Sequence, residues 1–496
     1  MKPFHEVQQA RRAQSESHHN SVHRSSLLAP KMDRASTQVA FLNHFLIKRG
    51  IKAVTCKMSA IDDDGKLAGS ATLPVDAPIV YTINLEAEFP ELEHINQYVV
   101  EFFSHDNLVV PYPAIMINHI GEDFINVVHS YNRVLNDIFE DEQVNKISVM
   151  EASIDVVDDG RHTTFFTFCA GPLDPGGELE VLRSDNGVDT TSRLTMAPGR
   201  LACQTARLSD LALEGELKPS TVIKISQPRQ RLFYGRMLAG VMNRQTGAFS
   251  ANHSYYDTSE FPEYFDNDYS ARTYPYFPEF LNSITIYPIM SPGLYDVQIN
   301  LAGSDGSYSS EPRAIVSPGG APVSISIDAL ATTAGLSDCS AFEVVVTARN
   351  GEKIPTRVMH QLVYGDRTGR SRLNSSVAVG LINRSVFRST GKTGLCWGQM
   401  VLHRDYHSRT GICFDVAEGE PAEVSVQLYS GSGLFHEWSE TLAPGYSLIF
   451  GNDSIPAPDE PAGCIWYVVR SSRPDVSAQS FHVHKISGNA SGEHSF

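Results

Sequence analysis

The chain has 496 residues, a formal net charge of -17 and 42% hydrophobic residues. That is enough apolar content for three or four domain-sized cores and too much for a disordered polymer. An acidic balance of this size repels polyanions on average, which argues against nucleic acid and anionic lipid as partners.

No apolar run approaches the eighteen or so residues that span a bilayer, and the first residues lack the apolar segment of a secretory signal, so the expected location is cytoplasmic. The cysteines, Cys56, Cys169, Cys203, Cys339, Cys396, Cys413 and Cys464, are odd in number and scattered, without a C-x-x-C pair. They are expected to be free thiols in a reducing compartment, which removes the usual structural zinc frameworks.

Residues 1–36 are polar, rich in Ser, His and Arg, and carry no hydrophobic period, so a disordered basic tail is predicted there. Beyond it, short runs of Val, Ile, Thr, Tyr and Phe alternate with Gly, Pro, Asp and Asn turns. This pattern predicts an all-β chain of tandem β-sandwich modules, jelly-roll or Ig-like, with a few short helices. The helices are expected over 41–50, 131–143 and 326–335. Asp63-Asp64-Gly65 and Asp158-Asp159-Gly160 are expected to be hairpin turns. Asp62-Asp63-Asp64-Gly65 lacks the alternating ligands and distal Glu of a calcium loop.

Self-similarity divides the chain further. YVVEFFSHDNLVVP (98–111) matches FEVVVTARNGEKIP (342–355), and SRLTMAPGRLACQ matches SETLAPGYSLIFG. TTFFTFCAGPLDPGGELEVL likewise falls opposite RTGICFDVAEGEPAEVSVQL. The offsets agree at roughly 245 residues, so two duplicated halves are predicted. Each half is too long for one sandwich, giving modules at 37–139, 140–257, 284–384 and 385–496. A linker at 258–283, dense in aromatic residues and Pro, is expected to run extended between the halves. Its tyrosines Tyr264, Tyr269, Tyr274 and Tyr276 are candidates either for stacking on sugar or for gluing the joint.

A His-Ser-aromatic triplet occurs as His129-Ser130-Tyr131, His253-Ser254-Tyr255 and His494-Ser495-Phe496. A serine nucleophile needs a base within reach, and strand neighbours point to opposite faces, so His253 is not expected to activate Ser254. The copies at His253 and His494, 241 residues apart, are expected to mark the closing strand or turn of a module, whereas the copy at His129 is expected to lead into a helix, with Asn374-Ser375-Ser376 as its counterpart in the second half. No catalytic residue is singled out.

His482 and His484, at i and i+2, share a strand face and are the candidate metal ligands, with His403, His407 or His494 as a distant third. Divalent metal is the only cofactor considered. The arginines of PRQRLFYGR and GDRTGRSRLN suggest an anion site, because guanidinium groups pair with carboxylate or sulfate. The candidate ligand residues are Arg229, Arg231, Arg236, His253, Tyr255, Arg370 and Arg372, with the His253 copy of the triplet nearest the arginines.

The function expected is a non-catalytic multi-module binding or scaffold protein, for glycans, other anionic polymers or small acids. One alternative is an enzyme acting on a carbohydrate or small acid with His, Tyr and Arg in a cleft between the halves. A self-assembling structural protein, and oligomerisation more generally, is the other.

Overall fold

The computed structural model describes residues 9, 13 and 23–496, apart from 105–113, 136–137, 139–140, 143–150, 153–155, 174–177, 186–187, 196–198, 212–214, 219–220, 229, 255–264, 268, 288–292, 318–321, 352–353, 356, 383–392 and 460–462. Antiparallel strands dominate.

Module 1 contains β1 (His23–Pro30), β2 (Ser36–Leu42), β3 (Val54–Asp62), β4 (Leu67–Val75), β5 (Val80–Asn84), β6 (Ile95–Ser104), β7 (Met116–Ile120) and β8 (Ile125–His129). Its helices are α1 (His44–Arg49) and α2 (Leu85–Glu88). The strands form two four-stranded sheets, ordered β1-β6-β3-β4 and β5-β2-β7-β8. Advancing every strand of the first sheet by four, counted cyclically over the eight, gives the second.

Module 2 repeats the arrangement with β9 (Glu151–Ala152), β10 (His162–Cys169), β11 (Glu178–Asp185), β12 (Val188–Thr195), β13 (Cys203–Arg207), β14 (Thr221–Ser226), β15 (Leu238–Asn243) and β16 (Phe249–His253). Its sheets are β9-β14-β11-β12 and β13-β10-β15-β16.

Module 3 comprises β17 (Tyr269–Pro275), β18 (Phe280–Ile286), β19 (Gly293–Gly303), β20 (Gly306–Ser309), β21 (Val323–Ser326), α3 (Ile327–Ala334), β22 (Ala341–Ala348), β23 (Arg357–Asp366) and β24 (Ser375–Ile382). The same two sheets recur, with a further strand, Arg313–Ser317, paired to β19.

Module 4 closes the chain with β25 (Gly394–Val401), β26 (Tyr406–Phe414), β27 (Ala422–Ser430), β28 (Gly433–Leu442), β29 (Ser447–Gly451), β30 (Cys464–Ser471), β31 (Val476–His484) and β32 (Ala490–His494). The order is again β25-β30-β27-β28 and β29-β26-β31-β32. The matched sequence stretches fall on equivalent strands, β6 against β22, β10–β11 against β26–β27, and β12–β13 against β28–β29. The repeat within each half, invisible in the sequence, is plain in the strand order.

Three sequence expectations are corrected. Residues 23–30 of the predicted tail are strand β1, paired along its length with β6. Residues 269–275 and 280–283 of the predicted linker lie in β17 and β18, and Tyr274 in β17 and Tyr276 just after it are buried. Tyr269 is exposed, whereas Tyr264 lies outside the described residues. The helix expected over 131–143 does not begin at 131, since Arg133–Val134 pair with Phe233–Tyr234; Ile138, Asp141 and Glu142 are helical, and the rest of 136–143 is outside the described residues.

Local chemistry explains the turns. Asp62 Oδ1 accepts the backbone N–H of Asp64 at 3.0 Å and of Lys66 at 2.8 Å, and Gly65 supplies the left-handed residue at φ 73°. Asp159 Oδ1 does the same for Arg161 and His162, at 2.8 and 2.7 Å.

Period-two alternation sets the outer sheets. In β27, Ala422, Val424, Val426 and Leu428 are buried while Glu423 is exposed, and β12 is mostly polar and open. The inner sheets differ: β10, β15, β16 and β31 are buried at every position. One face packs on the module's own core. The other meets neighbouring modules, so polar residues such as Gln479, Asn118 and Asn252 are buried as well. Asn118 and Gln399 exchange side-chain amide hydrogen bonds at 3.2 and 2.9 Å, joining modules 1 and 4.

Each module's last strand lies at a sheet edge, and the four edges meet. β8 packs against β16 and β32, and β24 also packs against β16 and β32, so the strands close a ring around a common axis. Exposed sheet edges invite further pairing, and here each is covered by its counterparts.

Candidate functional site at the module junction

The ring explains the repeated triplet. In each described copy the serine continues the ladder past the end of the strand. Ser130, Ser254 and Ser495 donate their N–H to Ile115 O, Met237 O and Ala478 O at 2.8, 2.6 and 2.8 Å. The hydroxyl oxygens of Ser254 and Ser495 accept the N–H of Met237 and Ala478, both at 3.0 Å. The serine is a clamp on the final hairpin and not a nucleophile.

The histidine folds back over that clamp. Nδ1 of His129, His253 and His494 lies 2.8, 3.0 and 2.8 Å from the carbonyl of the following serine. A carbonyl only accepts, so at His129 and His494 this contact places the proton on Nδ1 and turns Nε2 outward as a lone pair, whereas at His253 a guanidinium N–H of Arg236 competes for the same Nδ1 at 3.0 Å. Three modules then bring their histidines together, with one nitrogen from each within 4.8 Å of the others. The Nε2 atoms of His129 and His253 are 2.8 Å apart.

Glu493 sits beside them, buried. Its carboxylate accepts the N–H of His129 at 3.1 Å, of His494 at 2.9 Å and of the Asn252 side chain at 3.0 Å. Its Oε1 is 3.6 Å from His494 Nε2. A single acid therefore ties modules 1, 2 and 4 together. Asn126 and Ser491 extend the same logic, accepting the edge N–H groups of Ala251 at 2.7 Å and Val127 at 2.9 Å. Glu493 also borders a small cavity lined by Val127, Gln399, Ser480, His482 and Gly492.

Arg236 approaches from module 2. Its Nη1 lies 3.0 Å from Nδ1 and 3.3 Å from Nε2 of His253, and Nη2 donates to the Tyr234 hydroxyl at 3.2 Å. Burial holds His129 and His253 well below the ordinary histidine range. For His253 the neighbouring Arg236 charge adds to this, and for His129 the neighbours His494 and then Arg236. Both rings are neutral at pH 7. Three converging imidazoles with a buried carboxylate are a donor set for a divalent transition metal. The serine carbonyls serve as the outer hydrogen-bond partners that fix each ring.

The other expected site residues fall elsewhere. His482 and His484 share a face of β31 as foreseen, but His482 Nε2 is 2.7 Å from Ile125 O and His484 Nδ1 is 2.9 Å from Ser487 Oγ. Both rings pack on Tyr406. They are module-joining and turn-closing groups, and the described histidines that converge are the triplet ones instead.

Arg370 is held by Asp366 at 2.8 and 2.9 Å, Arg372 lies 3.3 Å from Asp159, and Arg231 lies 3.3 Å from Asp141. Internal pairing thus occupies these three. Arg229 and Tyr255 lie outside the described residues. Among the described residues of that ligand set, His253 and Arg236 are brought together. His129 and Glu493 were missed as ligands, and His494 was foreseen only as a distant third to His482 and His484. The signal was the triplet itself, because equivalent positions in repeated modules converge when the modules surround an axis.

No helix among the described residues is long and apolar enough to cross a membrane. No family model matches the chain, and no curated protein matches it. Among solved structures, two B repeat units of the collagen-binding protein of Staphylococcus aureus are 10% identical, covering 95% of this chain and 99% of that one, with a TM-score of 0.11. A tetra-tandem repeat from the extending region of a large adhesion protein is 9% identical over 95% and 98%, with a TM-score of 0.09. Superpositions this poor carry no inference about fold or function to this chain.

Proposed function

We propose that the protein is a non-catalytic multi-module scaffold whose modules are stapled at their junction by a divalent transition metal of the zinc class. The observation that carries this reading is the convergence of His129, His253 and His494, each with Nδ1 engaged by its own serine carbonyl and a nitrogen within 4.8 Å of the others. Zinc–nitrogen bonds of about 2.0–2.1 Å put neighbouring ligands roughly 3.3 Å apart, so a metal here would spread the 2.8 Å His129–His253 pair and draw the wider members of the set inward. Glu493 offers the negative charge that a buried cation needs. The glycan or anionic-polymer reading keeps less support, because Arg231, Arg370 and Arg372 are already paired with acids of the chain.

A second reading rests on Arg236. Its N–H aimed at His253 Nδ1 permits a metal-free chain of donors, Arg236 to His253 Nδ1, His253 Nε2 to His129 Nε2, and His129 Nδ1 to Ser130 O.

Metal analysis of the untagged full chain, dialysed against chelator and reloaded with zinc, separates the two. The staple predicts about one tightly held zinc per chain, lost in His129→Ala and His494→Ala and retained in His482→Gln. A chain that takes up no zinc overturns the staple and leaves the hydrogen-bonded network.

A further inference from the structure

Away from the histidines, Cys169 at the end of β10 faces Cys203 at the start of β13 across the ladder. The adjacent pair, Ala170 and Ala202, is joined by a backbone hydrogen bond of 2.8 Å. Cys169 and Cys203 therefore occupy the alternate, non-hydrogen-bonded kind of pair, where the Cα atoms approach to about 4.5 Å. That spacing is at the short end of what a disulfide spans. The two Sγ atoms are 2.8 Å apart.

The surroundings hold this pair in place. Asn96 of module 1 binds the backbone of Cys203 on both sides, accepting from its N–H and donating to its carbonyl, the latter at 3.2 Å. The Cys203 thiol donates to Gln97 Oε1 at 2.9 Å. Leu28, Ile61 and Val99 of module 1 pack with Cys169 and Phe233 of module 2 around it. Cys169 is buried and Cys203 is half-buried on the edge strand, so Cys203 is the more accessible residue of the two.

We propose that Cys169 and Cys203 are a redox-modification site that closes to an intramolecular disulfide by exchange with a low-molecular-weight disulfide. The Cys203 thiolate attacks one sulfur of the small disulfide, forming a mixed disulfide and releasing one small thiol. Cys169, as thiolate, then attacks the Cys203 sulfur and releases the second. Two cysteine S–H bonds are lost, one S–S bond forms, and the two protons leave on the small thiols. Burial pushes the Cys203 thiol up, so the first step is slow relative to an exposed cysteine. The product ties the edge strand β13 to β10 beside the contact with module 1.

The test uses the full chain, fully reduced and then equilibrated with mixtures of reduced and oxidised glutathione. Remaining thiols are blocked with N-ethylmaleimide, and peptides are read by mass spectrometry. The expected result is a linked Cys169–Cys203 peptide that appears as the mixture becomes more oxidising and disappears on re-reduction. In Cys169→Ser the same treatment leaves a lasting glutathione adduct on Cys203. If both cysteines of the wild-type chain stay alkylated at every potential, or if Cys203 carries glutathione without ever linking to Cys169, the proposal fails. The wild-type measurement stands whether or not the variant folds.

Discussion

The Nε2 atoms of His129 and His253 lie 2.8 Å apart although 124 residues separate them in the chain. Each terminates the last strand of its module, and each leans on the carbonyl of its own serine. Two neutral rings whose Nδ1 atoms both donate to carbonyls would point lone pairs at one another. A cation between them, or a proton shifted on His253 toward His129, relieves that repulsion.

If a metal supplies the relief, chelation destabilises the fold by mass action, because the metal binds only the assembled junction. Treatment of the zinc-loaded chain with chelator is expected to lower the thermal midpoint by several degrees. Reloading should restore it in the wild type and fail to do so in His253→Ala. A midpoint indifferent to chelator in both proteins counts against the staple.

The serine clamp makes a separate prediction. In Ser254→Ala the Met237 N–H loses its acceptor, and in Ser495→Ala the Ala478 N–H does. A buried donor left unsatisfied costs about 1–3 kcal/mol. Both variants should therefore unfold at lower denaturant concentration with little change in slope. Ser487→Ala, in a more open turn, serves as the milder reference.

Arg272 of β17 and Asp415, just beyond β26, form a buried ion pair of 3.0 Å that joins modules 3 and 4. Asp415 Oδ1 also accepts the Ser477 hydroxyl at 2.7 Å, and Asp415 O accepts the Thr273 N–H at 3.0 Å. Removing one partner strands the other charge in a dry site. Arg272→Met is expected to cost roughly 3–5 kcal/mol in denaturant unfolding. The double variant Arg272→Met with Asp415→Asn should recover part of the loss, and equal losses in single and double variants would argue against coupling.

Acid sensitivity follows from buried histidines outside the cluster. Desolvation lowers His119 and His482 to about 4 and His44 to about 3. Each takes up a proton near pH 6.5 when unfolded and resists it when folded, so the unfolded state binds more protons below pH 6.5. Stability is accordingly full above pH 6.5 and falls as the pH drops through 6.5 toward 4. The loss is on the order of 3 kcal/mol per fully buried ring by pH 4. His482→Gln should flatten the decline of the unfolding midpoint between pH 6.5 and 4, and an unchanged slope would show that His482 does not contribute.

Much of the architecture was readable in the residues. Alternation in β27 and β19, the Asp-Gly turns and the matched stretches at one offset are local or periodic signals, and they predict strands, turns and two halves directly. Strand β1 was lost to the tail because its sequence, HRSSLLAP, has too short an apolar run to stand out, and only pairing with β6 makes it a strand. Tyr274 and Tyr276 were legible as glue between the halves or as sugar platforms, and their burial in a core built only from residues of the second half makes them neither.

The junction lies on the other side of that boundary. By alternation alone, Gln479, Ser491, Asn252 and Glu493 belong on a solvent face, since nothing local distinguishes a polar residue in water from one paired across a module interface. The sequence by itself determined that strands would form, that the halves repeat, and that the His253 and His494 triplets would close final hairpins. It expected the His129 copy to open a helix with Asn374-Ser375-Ser376 as counterpart, whereas His129 ends a last strand and Ser375 begins one. Only the tertiary structure decided that those hairpins face one axis and bring His129, His253 and His494 within reach of one metal. The reason is physical: propensity and periodicity act over a few residues, whereas a ligand set exists only where distant strands are packed edge to edge.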